Sequence, residues 1–319
     1  MWFADAHSDI GVLIHLTREG LMPRNLVDTY FEQLKQGNVL LSIIQLGGDF
    51  EHLGVDLRES ESVLAVLESI TREVKTDEGL HIVASASELE EFNVGRPQTR
   101  FILSLEGCAP IDPHFQVLES LYEGGLRALA LTHNGRNIYA SGCAVENDTG
   151  LTRDGERLLD RAAELGLILD LVHIGEKSFW DAIEYSSTPV YISHSNSKRQ
   201  YDHMRNITDE QIQAVAERDG VVALNFLSEF IDNPSKPVSL ERWVDHLEHM
   251  VNLASIRNVA LGPDFFRYMM PELDYVGGVD NPSALPLIAE ALGARGYSED
   301  EIELVGHGNL LRFLEGALD

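Results

Sequence analysis

The chain has 319 residues, 44% of them hydrophobic and 8% aromatic, which is enough for a large core. Its 24 Lys and Arg against 52 Asp and Glu give a net charge of −28, and this excludes a surface built to grip nucleic-acid phosphates or anionic lipid. No run approaches the ~20 apolar residues that cross a membrane, and the two cysteines, Cys108 and Cys143, make neither a disulfide framework nor a CxxC motif.

Short β-branched apolar runs alternate with longer amphipathic segments, the pattern of βα units around a parallel sheet. Eight barrel strands are expected at residues 2–6, 39–46, 101–105, 126–132, 167–172, 189–193, 221–226 and 258–262, with an accessory strand at 81–84. The first runs into Asp5-Ala6-His7-Ser8-Asp9, where alternation along a strand would aim His7 and Asp9 the same way. Between the fourth and fifth strands, Thr152 is a good N-cap for a helix reaching Leu165, with Leu158, Leu159, Ala162 and Leu165 on its apolar stripe and Gly166 as its stop. After the eighth strand a long loop, 267–281, is placed to shape a pocket. Ser298 and Glu301 form a capping box that opens a C-terminal helical segment, and His307, between two glycines, reads as a loop residue near the last helix. Without an internal repeat, low-complexity tract or linker, residues 1–319 read as one (β/α)8 barrel domain. The N-terminus lacks the basic region and cleavage site of a secretory signal, so the expected location is the cytoplasm. Only 5 Lys stand against 19 Arg, a skew that with so many carboxylates suggests a salt-adapted or GC-rich source.

Barrel enzymes place their chemistry at the C-terminal ends of the strands. There the chain offers His7 and Asp9, Glu106, His133, His173, His194 and Asp264, while the second and seventh strands offer only Gln45 and Asn225. Any one histidine is more simply a hydrogen-bonded core or loop residue, but four at strand ends together with these acids are not. Imidazole and carboxylate ligands suit zinc or a similar divalent ion, and a catalytic zinc keeps only three protein ligands plus water. Five strong ligands therefore suit two ions: His7 and Asp9 on one, His173 and His194 on the other, and Glu106 bridging both. A hydroxide held between the metals would then attack the substrate. His246 and His249 share a helical face, yet they precede the eighth strand and read as outer-helix residues, and His203 reads as a solvated loop residue. Ser193 and Ser195 flank His194 without a nucleophile-elbow context.

Eight motifs in order carry a resemblance: Asp5-Ala6-His7-Ser8-Asp9, Leu105-Glu106-Gly107, Leu131-Thr132-His133-Asn134, Leu169-Asp170-Leu171-Val172-His173, Ile192-Ser193-His194-Ser195, Arg205-Asn206, Gly262-Pro263-Asp264-Phe265 and Gly308-Asn309-Leu310-Leu311-Arg312. Over nearly its whole length the chain resembles the membrane (renal) dipeptidases and their bacterial relatives, di-zinc TIM-barrel peptidases of the metallo-dependent hydrolase type. The resemblance implies two divalent ions, with zinc the expected metal, bound by His7, Asp9, Glu106, His173 and His194. It implies that His133 contacts the scissile carbonyl oxygen, that Arg205 grips the substrate's terminal carboxylate, and that Asp264 shuttles a proton from the attacking water to the leaving nitrogen. The implied substrate and partner is a small dipeptide with free termini, with tolerance of a D-residue at the C-terminal position; a homodimer stays open. The alternative is an amidohydrolase-like enzyme acting on another amide, a lactam or an ester. Leu227, Phe266, the Ile138-Tyr139 pair and Ile10-Gly11-Val12 depart from the family pattern, which leaves the side-chain preference of the pocket open.

Overall fold

A computed structural model describes residues 1–90 and 98–318. Nine strands form the framework: β1 Phe3–Ser8, β2 Val39–Gln45, β3 Leu80–Ile82, β4 Thr99–Glu106, β5 Leu126–Ala130, β6 Ile168–Asp170, β7 Val190–Tyr191, β8 Val222–Leu224 and β9 Val259–Leu261. All pairings among them are parallel, in the order β1-β2-β4-β5-β6-β7 and separately β8-β9. A parallel bridge from Ile192 to Val222 joins the two sets, and β9 lies against β1, so that the strands close into a barrel. All eight expected barrel strands are present. The accessory strand is β3, which pairs with the first residues of β4 (Leu80 with Thr99, Ile82 with Phe101), while β5 takes the rest of that edge from Leu103 onward.

Alternation along the strands sorts side chains between two cores. The barrel interior holds Ala4, Ala6, Leu41, Ile43, Ile102, Ala128, Ile168, Tyr191, Ala223 and Ala260. Five of these are alanines, and the space they leave accommodates Tyr191. Its ring lies 5.6 Å from that of Phe313, which helix Asn309–Ala317 brings up with Leu310 and Leu314 to close the barrel floor. Outward-facing Phe101, Leu103 and Leu105 instead meet the surrounding helices. Helix Arg153–Glu164 is typical of these: Thr152 Oγ1 accepts from Gly155 N–H at 3.0 Å, Leu158, Leu159 and Ala162 are buried as the spacing predicts, and Leu165, just past the helix end, is only partly buried.

Several strands are shorter than their apolar runs. β6, β7, β8 and β9 stop after two or three residues, and the chain then turns to aim side chains across the mouth. His173 and Asp264 sit at those turns with φ of 56° and 60°, conformations uncommon for residues with a Cβ and found where a site dictates the backbone. His307 lies in a π-helical turn, Leu304–Gly308, rather than in a loop. Its ring stacks on Trp2 at 4.0 Å and its Nδ1 donates to the Trp2 carbonyl, which fastens the C-terminal helices to the start of β1.

Candidate metal centre

His7 and Asp9 converge, but not through strand alternation alone. The β1-β2 register slips by one residue between Asp5 and Ser8, and Asp9 is the N-cap position of helix Ile10–Arg18. Asp5, buried behind them, accepts from the His7 N–H at 2.9 Å and so holds this irregular backbone. As a result His7 Nε2 lies 3.8 Å from Asp9 Oδ2, 3.7 Å from Glu106 Oε1 and 3.6 Å from Asp264 Oδ1. Glu106, the last residue of β4, also reaches His173 Nε2 at 3.0 Å, His194 Nε2 at 3.6 Å and His133 Nε2 at 3.9 Å.

The histidines are oriented from behind. His173 Nδ1 donates to Asn134 Oδ1 at 2.9 Å and His194 Nδ1 pairs with Ser193 Oγ at 2.9 Å, which leaves both Nε2 atoms facing the cluster. Asp170 in turn accepts from the Ser193 N–H at 3.0 Å and the Val172 N–H at 3.1 Å, bracing the turns that carry His194 and His173. Asp264 is held through Oδ2 by Asn225 Nδ2 at 2.9 Å. His133 donates through Nδ1 to Asp49, on the turn after β2. Gly48 precedes Asp49 with φ of 120°, and a Cβ there would come within 3.1 Å of Glu106 Oε2, so only glycine brings that turn so close to the cluster.

The electrostatics follow from burial. Desolvation pushes Glu106 and Asp264 well above the usual carboxylate range, against the lowering influence of His7. Burial acts against charge on His7 too, yet the surrounding Glu106, Asp9 and Asp264 raise it. Burial, aided by the Arg205 guanidinium, holds His173 and His194 neutral, the form in which imidazole binds a metal.

The donor set fits divalent cations. Three groups of side chains bring ligand atoms within 4.8 Å of one another: His7, Glu106 and His194; Glu106, His133 and His173; and His7, Asp9 and Asp264. Two observations add to this. The Nε2 atoms of neutral His173 and His194 face each other at 3.1 Å, and Asp9 Oδ1 is buried without a hydrogen-bond partner. The orphaned buried carboxylate oxygen calls for a positive charge beside it. Glu106 belongs to two of the three groups, as a bridging carboxylate would, although His194 groups with His7 here rather than with His173.

The cluster floors a cavity of about 510 Å³, into which His133, Arg205, Leu227, Phe266 and Asp49 also face. Arg205 Nη2 donates to His173 Nε2 at 2.9 Å and its guanidinium lies 5.5 Å from the Phe230 ring centre. Loop 267–281 contributes Met270 and Leu273 to the cavity wall. Every expected site residue is thus gathered in one place, His52 lines the cavity as well, and three histidines weighed from the sequence have other work. His246 accepts from the Ser197 N–H at 3.2 Å and donates to the Ile231 carbonyl at 2.9 Å, and His249 pairs with Asp209 at 2.8 Å. His203 accepts from the Arg205 N–H at 3.2 Å and packs 4.9 Å from Phe230, outside the cavity. Asp49 and Asn134 were not legible as supporting groups; the one signal was position, a Gly-Gly-Asp turn after β2 and an asparagine beside His133.

The parallel strands and the donor cluster at their C-terminal ends define an α/β barrel whose mouth could hold metal ions. The family model "Membrane dipeptidase (Peptidase family M19)" matches residues 4–318, and the chain belongs to this family of metallopeptidases. An uncharacterized dipeptidase of Schizosaccharomyces pombe is 31% identical over 226 residues, 70% of this chain and 54% of that protein, so the match spans about half of the yeast protein's length. A protein encoded in the pqqA 5′ region of Klebsiella pneumoniae is 28% identical over 245 residues, 74% of this chain and 88% of that one. Among solved structures, a metallopeptidase from Rhodobacter sphaeroides, bound to a phosphinate mimic of the dipeptide L-Ala-D-Ala, superposes with a TM-score of 0.87 at 22% identity over 99% of both chains. An amidohydrolase from Pseudomonas aeruginosa gives 0.80 at 17% identity over 91% of this chain and 92% of its own.

Proposed function

We propose that the protein is a binuclear metal-dependent dipeptidase that hydrolyses small dipeptides with free termini and accepts a D-residue at the C-terminal position. The observation that carries this reading is the convergence of Glu106 with His7, His133, His173, His194, Asp9 and Asp264, beside the Arg205 guanidinium, at the floor of one cavity. His7, Asp9, Glu106, His173 and His194 would hold the ions, with Glu106 shared, and zinc suits this mixture of nitrogen and oxygen donors. Bound there, the ions would polarise the scissile carbonyl and bring the pKa of water towards about 7.

The remaining chemistry belongs to the protein's own groups. Arg205 presents a planar donor fork at the cavity wall, suited to a terminal carboxylate, and His203 and Phe230 fix its backbone and its plane. A substrate lacking that carboxylate leaves Arg205 without a partner, which weighs against another amide, a lactam or an ester. His133 faces the cavity through Nε2 while Asp49 accepts from Nδ1. In the doubly protonated form that Glu106 and Asp49 favour, its Nε2–H would donate to oxygen as negative charge develops there. Asp264, tied through Oδ2 to Asn225, keeps Oδ1 beside the cluster, where it would take a proton and return it to the departing nitrogen. The L-Ala-D-Ala mimic bound by the Rhodobacter protein supports the stereochemical part of the proposal.

A panel of L,L and L,D dipeptides assayed against metal-reconstituted protein, with metal content measured on the same samples, tests the proposal. Hydrolysis of members of both series with about two divalent ions per chain is expected. Failure to cleave any member by metal-loaded protein overturns it.

A further inference from the structure

The cavity has two poles of different chemistry. At one, Arg205 lies over Phe230 beside Met204. At the other lies Asp264, which shares the cavity lining with Leu227, Phe266, Met270 and Leu273. Leu227 and Phe266 are held by the same groups that hold Asp264. Tyr275 hydroxyl donates to the Asp264 carbonyl at 2.7 Å and accepts from the Phe266 N–H at 3.0 Å. Asn225 holds Asp264 Oδ2 through its amide nitrogen and accepts from the Leu227 N–H through its oxygen at 2.6 Å. The wall beside Asp264 is therefore a built surface, continuous with the metal centre.

From this we infer that the Asp264 side of the cavity is a subsite selecting dipeptides whose amino-terminal residue carries a bulky apolar side chain. The inference rests on the dipeptidase reading, in which the substrate carboxylate lies at Arg205 and the departing nitrogen at Asp264, so that the amino-terminal residue lies beyond Asp264. The amino-terminal side chain then falls against Leu227, Phe266, Met270 and Leu273 and loses water-exposed apolar surface there. Met270 supplies a polarizable, adaptable contact, so leucine, methionine and phenylalanine side chains all fit the description. Anionic side chains are excluded. Arg205 is the only Arg or Lys among the described lining residues and is engaged at the other pole, while Glu229 and Asp264 would repel a second carboxylate.

The test compares kcat/KM for Leu-Ala, Ala-Ala and Asp-Ala on the full-length metal-loaded protein. Leu-Ala is expected to exceed Ala-Ala by ~10-fold or more and Asp-Ala by ~100-fold or more, the scale on which an apolar pocket discriminates. Phe266→Asp and, separately, Met270→Ala should each lower the Leu-Ala to Ala-Ala ratio several-fold. That ratio, taken on one preparation, does not depend on the fraction correctly folded. Free L-leucine should also inhibit more tightly than L-aspartate, a difference that Phe266→Asp narrows. Equal rates across the series, or a preference for Asp-Ala, would overturn the subsite while leaving the dipeptidase reading intact. An unchanged ratio in both variants would overturn it as well. Absence of any dipeptide hydrolysis would remove the dipeptidase reading itself and the subsite with it.

Discussion

Glu106 stands within 4 Å of four imidazoles, and no other carboxylate among the described residues is so shared. Replacing it with glutamine keeps its shape but removes the charge that offsets cations in a buried site. Glu106→Gln should lower kcat/KM by at least ~1,000-fold and reduce the metal retained after gel filtration; near-native turnover would exclude a bridging role. Arg205→Ala should act differently. A lost charge-assisted contact of ~1.5–3 kcal/mol predicts a KM raised ~10- to 100-fold with a smaller change in kcat, measurable in steady-state kinetics. At this scale the candidate ligands were legible because they follow apolar runs one after another. Asp49 was not, because its partner His133 is 84 residues away and a lone Asp after two glycines looks like any turn.

Helix boundaries were legible where capping chemistry is local. Thr152 and Ser298 cap as their neighbours predict, since the bonds span only three residues. Thr152→Ala should cost about 1 kcal/mol, seen as a lower urea midpoint with an unchanged m-value. Helix Ile10–Arg18 depends on a longer-range fit: a Cβ on Gly11 would lie 2.4 Å from the Gln45 carbonyl oxygen, so this helix approaches β2 only because residue 11 is glycine. The strand ends could not be read from periodicity. The apolar runs continue past the last ladder pair because residues such as Leu171 and Val172 stay buried after the backbone has left the sheet. The π-helical turn holding His307 was equally invisible, since it is imposed by the docking of Gly306 against Met1 and Phe3.

For the whole molecule, charge and burial set the response to solvent. A net charge of −28 repels itself, so thermal stability should rise as NaCl goes from low to near-molar concentration, where the Debye length shrinks from ~30 Å to ~3 Å; a flat or falling melting temperature would remove salt adaptation as an account of the composition. The buried His246 adds a pH response. Desolvation lowers it from 6.5 to about 4, and its Nδ1 accepts from the Ser197 N–H, a bond that a proton there would break. The unfolded chain thus binds more protons between pH 6.5 and 4, and stability falls as pH drops through that window, by up to ~3 kcal/mol from this group. Urea titrations of wild type and His246→Gln should show the wild-type advantage at pH 7 narrowing towards pH 4.5.

The sequence alone determined the alternation of strands and helices, the identity of the donors and their order along the chain, because periodicity, capping and strand-end position are properties of neighbouring residues. Tertiary structure decided what those donors do together. Barrel closure brings residues as far apart as His7 and Asp264 within 3.6 Å, the bulge in β1 turns His7 and Asp9 onto one point, and distant asparagines and Asp49 orient the rest. Such convergence depends on register and backbone angles set by packing across the whole barrel, which no local pattern encodes.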